Sequence, residues 1–127
     1  MLAFTDPGEA YRRSEIDAKI RGAGTAELVV LCLEQVGAGL GSAIAAAERR
    51  DATARSAGLT RALSALTALE MGIDRSVPIA SVLDGLYGAA RRTILDCVTR
   101  FNAAQLALVR KDFLELAQVF GRQQGDA

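Results

Sequence analysis

The chain has 127 residues, half of them apolar, with 15 basic and 15 acidic side chains. That length suits one domain with one core, and the composition excludes a largely disordered chain. Zero net charge leaves no footprint for nucleic acid or an acidic membrane, and the lack of Trp and His removes stacking platforms, the usual general base and the commonest metal ligand.

Residues 1–10 read as a tail of small residues around Pro7-Gly8. Residues 11–23, YRRSEIDAKIRGA, set Tyr11, Ile16 and Ile20 among charges, which makes a short amphipathic segment with little to anchor it. The expected division is a mobile segment over 1–23, a four-helix bundle over 24–121 and a disordered tail over 122–127. The start of the chain lacks a basic stretch followed by an apolar one, and its apolar runs are too short to span a bilayer. A cytoplasmic protein without membrane insertion is expected.

Residues 28–42, LVVLCLEQVGAGLGS, pose the main problem of interpretation. An apolar run followed by Gly37, Gly39 and Gly41 looks like a strand entering a phosphate loop. The spacing lacks the third glycine of G-x-G-x-x-G and the Gly-Lys-Ser/Thr ending of a Walker loop, and no second strand pattern follows. At helical spacing, Val29, Cys32, Leu33, Val36, Leu40, Ala43, Ile44 and Ala47 form one stripe that passes the glycines without losing phase. One long helix is predicted, capped by Gly24 or Thr25, with Glu27 in its first turn.

A charged joint, Glu48 to Asp51, leads to a second helical pattern over 52–74 with Leu59, Ala62, Leu63, Leu66, Leu69 and Ile73. The turn DRSVP at 74–78 offers Ser76 as an N-cap and Pro78 in the first helical turn. A third stripe holds Ile79, Val82, Leu83, Leu86, Tyr87, Ala90, Ile94, Val98 and Phe101. Asn102 and Gln105 form a capping box for a fourth helix with Leu106, Val109, Phe113, Leu116 and Phe120, which Gly121 should stop. Short joints make neighbours antiparallel, so the fold class is all-α, an up-down four-helix bundle.

Why a helix should carry three glycines then needs a reason, since each costs roughly 0.5–1 kcal/mol relative to Ala. At about 100° per residue, Gly37 and Gly41 share a face outside the core stripe with Ala38, Ser42 and Ala45. This smooth strip can admit a helix of another protein or pack against a neighbour in this chain; a partner helix is the favoured reading. Catalytic pairs are thin. Glu15 with Asp17 and Asp84 with Asp96 read as solvated carboxylates, Arg91 and Arg92 as a polar face, and Ser42 and Ser81 have no base to activate them. Cys32 and Cys97 sit in apolar patterns as reduced core residues. Neither an enzyme, nor a metal site, nor a cofactor is expected.

The order of these features resembles the flagellin-specific export chaperones, small cytosolic helical bundles. Ala10-Tyr11 matches that family's N-terminal tyrosine. Glu27-Leu28-Val29 with Leu31 looks like its first long helix, and AIAAAERRD at 43–51 its small-residue helix end before an acidic turn. In SVLDGLYGAARRTIL, Leu83, Leu86-Tyr87 and Arg91-Arg92 match its leucine-tyrosine helix and basic pair. The chain departs from the pattern at Gly24-Thr25, at Leu33-Glu34-Gln35, at Cys97-Val98 and in lacking a late tryptophan. The resemblance implies a chaperone for the C-terminal helical segment of flagellin, with export-gate components as further partners and a weak homodimer as an option. It also implies that the Tyr11 segment can cover an empty client site. The residues expected to touch the client are Tyr11, Ile20, Leu28, Leu31, Ala38, Gly41, Leu83, Leu86 and Tyr87. The rival reading is a helical oligomerisation or adaptor module that binds its own copy.

Overall fold

The computed structural model describes residues 25–125. Tyr11, Ile20 and the rest of the expected N-terminal segment lie outside the described residues. Four helices follow in order: α1 Thr25–Glu48, α2 Ala52–Met71, α3 Ala80–Thr99 and α4 Ala103–Gly125. Each helix packs on the next and α4 returns to α1, which closes an all-α four-helix bundle. There is no strand among the described residues, and LVVLCLEQVGAGLGS lies wholly inside α1. The continuous stripe was the correct guide because side-chain burial follows the helical period, whatever the local glycine content.

The joints show how the sequence sets the helix ends. After α1, Arg50 takes a left-handed backbone with φ 59°, and the Asp51 N–H returns to the Ala46 carbonyl at 2.9 Å. The Asp51 carboxylate then accepts from the Ala54 N–H at 3.0 Å and caps α2. Gly72 closes α2, donating to the carbonyls of Ala68 and Leu69 at 3.1 and 3.2 Å. Asn102 caps α4 by accepting from the Gln105 N–H at 3.1 Å.

Three expected boundaries differ. The second helix, expected over 52–74, ends at Met71, so Ile73 lies beyond it. Ser76 does not cap α3: its N–H and hydroxyl both donate to Asp74 Oδ1, at 3.0 and 2.6 Å, and form a local turn. The helix starts later, at Ala80, with Ile79 giving no side-chain cap. Gly121 does not stop α4, which runs on to Gly125. No described glycine has a positive φ, so Gly121 keeps helical dihedrals and lacks the left-handed turn that ends a helix at glycine.

The core joins all four helices through Leu33, Val36, Leu40, Leu66, Tyr87, Ile94, Leu106 and Phe113. Its two sides are built differently. Between α1 and α2, Gly39, Ala43, Gly58 and Ala62 bring backbone against backbone. Between α3 and α4, large side chains fill the gap, with the rings of Tyr87 and Phe113 6.0 Å apart and tilted by 36°. The α3 and α4 backbones accordingly stand further apart than those of the other adjacent pairs. Val82, Val98 and Ile79, read as part of the α3 stripe, are exposed, because α3 buries a narrower face centred on Tyr87, Ala90, Ile94 and Cys97.

By length and composition α1 is apolar enough to cross a membrane, with a mean hydropathy of 1.7 over its most apolar window. This corrects the count of short apolar runs, which glycine and a few polar residues had interrupted. The α1 face of Leu33, Val36, Leu40 and Ala43 is fully buried in the bundle core.

Candidate functional site

Four of the expected contact residues lie on α1. The core face of α1 is fixed by Leu33, Val36, Leu40 and Ala43, all fully buried. At about 100° per residue, Leu31, Ala38, Ser42 and Ala45 point roughly the opposite way, and Leu28 and Gly41 lie on the two flanks. Leu28, Leu31, Ala38 and Gly41 are half-buried, whereas Ser42 and Ala45 are exposed. The result is a shallow trough along α1 between the shoulders of α2 and α4, apolar at Leu31, Ala38 and Ala45 and carrying the exposed carboxylates of Glu27 and Glu34 on the same side.

Both shoulders are defined. On the α2 side, the Arg61 guanidinium donates to Gln35 Oε1 at 2.9 Å. On the α4 side, Leu114 lies over Gly37 and Arg110 over Gly41. The neighbour that meets the buried Gly37 is therefore Leu114 of α4 in the same chain, so the strip is not open to a partner helix at Gly37, whereas the half-buried Gly41 is met only by the Arg110 side chain. The reason lies in α4: its α1-facing flank carries Arg110, Leu114 and Ala117, whose side chains need the space the glycines leave. A Cβ added at Gly41 would lie 3.0 Å from Arg110 Nε, the flexible part of a surface side chain. Next to this shoulder, Val30, Glu34, Leu114, Ala117, Gln118, Gly121 and Arg122 line an open depression of about 500 Å³. It extends the trough towards the end of the bundle where α1 begins.

The three α3 residues lie elsewhere. Leu83 and Leu86 are half-buried against the core, and Tyr87 is 1 % exposed. All three are across the core from the outer face of α1, since α3 packs mainly against α2 and α4. The structure thus groups Leu28, Leu31, Ala38 and Gly41 and separates them from Leu83, Leu86 and Tyr87. In the closed bundle Tyr87 supports a wall and is not presented at the surface.

Sequence reading missed two features. Arg91, taken as a solvated polar face, reaches α2: Nε donates to Glu70 Oε1 at 3.1 Å and Nη2 to Thr67 Oγ1 at 2.7 Å, with a closer Nη2 contact to Glu70. A basic residue beside the apolar stripe and an acid one helix earlier were the available signal. The second feature is a set of exposed large apolar side chains, Val82, Leu108 and Val119 among them. Periodicity assigned Val82 to the core, and the other two fell outside every stripe.

The ionisable groups reflect packing. Burial pushes the Cys32 thiol above its ordinary value. Burial, and then the nearby Cys32, push the Tyr87 phenol up. Two hydrogen bonds from Ser76 hold the Asp74 carboxyl below its ordinary value. No group of three or more His, Cys, Asp or Glu among the described residues could hold a metal ion.

A helical bundle with a small-residue trough and large apolar side chains exposed elsewhere on its surface is equipped to bind other helices. Residues 7–123 match the family model described as flagellar protein FliS. The chain belongs to that family of flagellin-specific export chaperones, a family of chaperones and not of enzymes. No curated protein and no solved structure matches it.

Proposed function

We propose that this chaperone binds the disordered C-terminal segment of flagellin in the cytosol, prevents its premature polymerisation and delivers it to the flagellar export apparatus. The family match over residues 7–123 supports the flagellar export role. The observation that carries the binding site is the small-residue trough of Leu28, Leu31, Ala38 and Gly41 on α1, edged by Glu27 and Glu34, with the open depression beside Glu34 and Arg122. A client segment that folds into an amphipathic helix on binding buries its apolar stripe there and is kept from pairing with other flagellin subunits. Leu83 and Leu86, half-buried over the enclosed Tyr87, form a second contact region, and Tyr11 and Ile20 a cover for the empty site.

The test is calorimetric titration of the full chain with a synthetic flagellin C-terminal peptide of about 40 residues, ~60 Å long as a helix. Saturable binding is expected. Gly41→Leu should weaken it and leave the helical spectrum unchanged, because Arg110 can swing away. Unchanged binding by this folded variant removes the trough from the site. Absence of binding by the native chain, with a stable dimer by light scattering, replaces the chaperone reading with the adaptor one.

A further inference from the structure

We propose that α3 is a hinged wall of the bundle, opening along its α4 edge while it stays fastened to α2. Its fastenings are one-sided. On the α2 side, Arg91 holds Glu70 and Thr67, and Asp84 pairs with Arg75 in the α2–α3 connection. On the α4 side, the hydrogen bond found among the described residues is a weak one at the joint, from the Cys97 thiol to the Asn102 carbonyl oxygen at 3.9 Å, and along the helices the contact is apolar, centred on Tyr87 and Phe113.

By contrast, α1 and α2 are locked by backbone packing. A Cβ at Gly39 or Gly58 would lie 2.7 Å from a carbonyl oxygen of the facing helix, so α1 and α2 cannot part without losing close contact along the seam. The glycines of α3 have no such role. A Cβ at Gly85 would have nothing within 4 Å, and one at Gly88 would meet only Arg92 Nη1 at 3.6 Å. Two glycines inside one helix weaken it, and here no close approach requires them. The consequence is a helix with low intrinsic stability, a polar pivot on one edge and an apolar closure on the other. Opening exposes Leu83, Leu86, Tyr87, Ile94 and Phe113 together. Use of that surface by the client rests on the chaperone reading above; the hinge itself is a property of the free protein.

Hydrogen exchange of the full chain without client tests the hinge. Amides of α3 between Leu86 and Ile94 should exchange about ten-fold or more faster than those of α1 between Val36 and Ala43. The double variant Gly85→Ala, Gly88→Ala should slow α3 exchange about ten-fold and leave α1 unchanged. Arg91→Met, which removes the pivot, should speed α3 further. Equal exchange of α1 and α3, or equal slowing of both by the alanines, makes the bundle one cooperative unit and overturns the hinge. Because no client is present, either result is independent of whether flagellin binds.

Discussion

Gly39 and Gly58 face each other across the α1–α2 seam so closely that each excludes a side chain on the other. A Cβ at Gly39 would sit 2.7 Å from the Gly58 carbonyl oxygen and 2.8 Å from the Ala62 nitrogen. A Cβ at Gly58 would sit 2.7 Å from the Gly39 carbonyl oxygen. The obstructing atoms are backbone, which cannot rotate out of the way. Gly39→Ala and Gly58→Ala should each cost about 2–3 kcal/mol, despite the better helix propensity of Ala. Gly41→Ala, opposed only by the Arg110 side chain, should stay within about 0.5 kcal/mol of the parent. Urea unfolding midpoints compare the three. Equal losses at all three positions would remove the distinction between backbone and side-chain obstruction.

That pair also shows what a single sequence can and cannot convey. The α1 stripe from Val29 to Ala47 was legible, because burial of one helix face leaves a 3.6-residue period in the residues themselves. Whether a glycine meets a backbone, a side chain or solvent depends on the phase of a second helix, which no local pattern records. Gly39 and Gly41 differ by about 200° around α1 and so meet different helices. The site was split for the same reason. Leu28, Leu31, Ala38 and Gly41 come from one helix and stay together, but their position relative to Leu83, Leu86 and Tyr87 is set by the order of helices around the bundle. The Arg91–Glu70 clasp was hidden likewise, since each residue alone looks like an ordinary solvated charge.

Tyr87 packs on Phe113, and burial and the nearby Cys32, with no hydrogen bond among the described residues, govern its hydroxyl. Its contribution should therefore come from the ring. Tyr87→Phe should change stability by less than about 1 kcal/mol, whereas Tyr87→Ala should cost about 3–5 kcal/mol through the cavity it leaves. Denaturant unfolding of both variants checks this. A large loss in the phenylalanine variant would reveal a hydroxyl partner.

The same residue and Cys32 set the response to alkali. Both groups ionise less readily in the folded chain than in the unfolded one, since burial disfavours the thiolate and the phenolate. Their contribution is fully present below the ordinary thiol value of 9.0. Above it the unfolded chain releases protons that the folded chain retains, so stability falls as pH rises. The urea midpoint should be flat with respect to these groups from neutral pH to about 9 and then decline. The double variant Cys32→Ala, Tyr87→Phe should decline less steeply. An identical slope in parent and variant would assign the alkaline loss to other groups.

The Arg91–Glu70 pair has side chains about one-third exposed, at 31 % and 30 %. Water screens it in part, and a coupling near 1 kcal/mol is expected, larger than for a fully exposed pair because both Nε and Nη2 of Arg91 donate to the Glu70 carboxylate. A double-mutant cycle with Arg91→Met and Glu70→Gln measures it, and raising the salt from about 0.05 to 0.5 M should reduce it. A coupling indistinguishable from zero at low salt would leave α3 without its pivot.

Arg50 offers a site where stability can be gained. Its φ of 59° puts an L side chain in the left-handed region, at the joint where α1 turns into the Asp51 cap of α2. Glycine takes that conformation without steric cost, and a residue just past a helix end is where it is commonest. Arg50 is exposed, and its side chain forms no ion pair among the described residues. A glycine at this position also gains entropy in the unfolded chain, which offsets part of the relief, so Arg50→Gly should stabilise by about 0.5–1 kcal/mol net. Arg50→Asn should give a smaller gain by the same route, and Arg50→Val, whose branched Cβ resists positive φ, should lose about 1 kcal/mol. Thermal unfolding of the three variants orders them as Gly, Asn, parent, Val. Any order that places Val above Gly would show that the joint does not require the left-handed backbone.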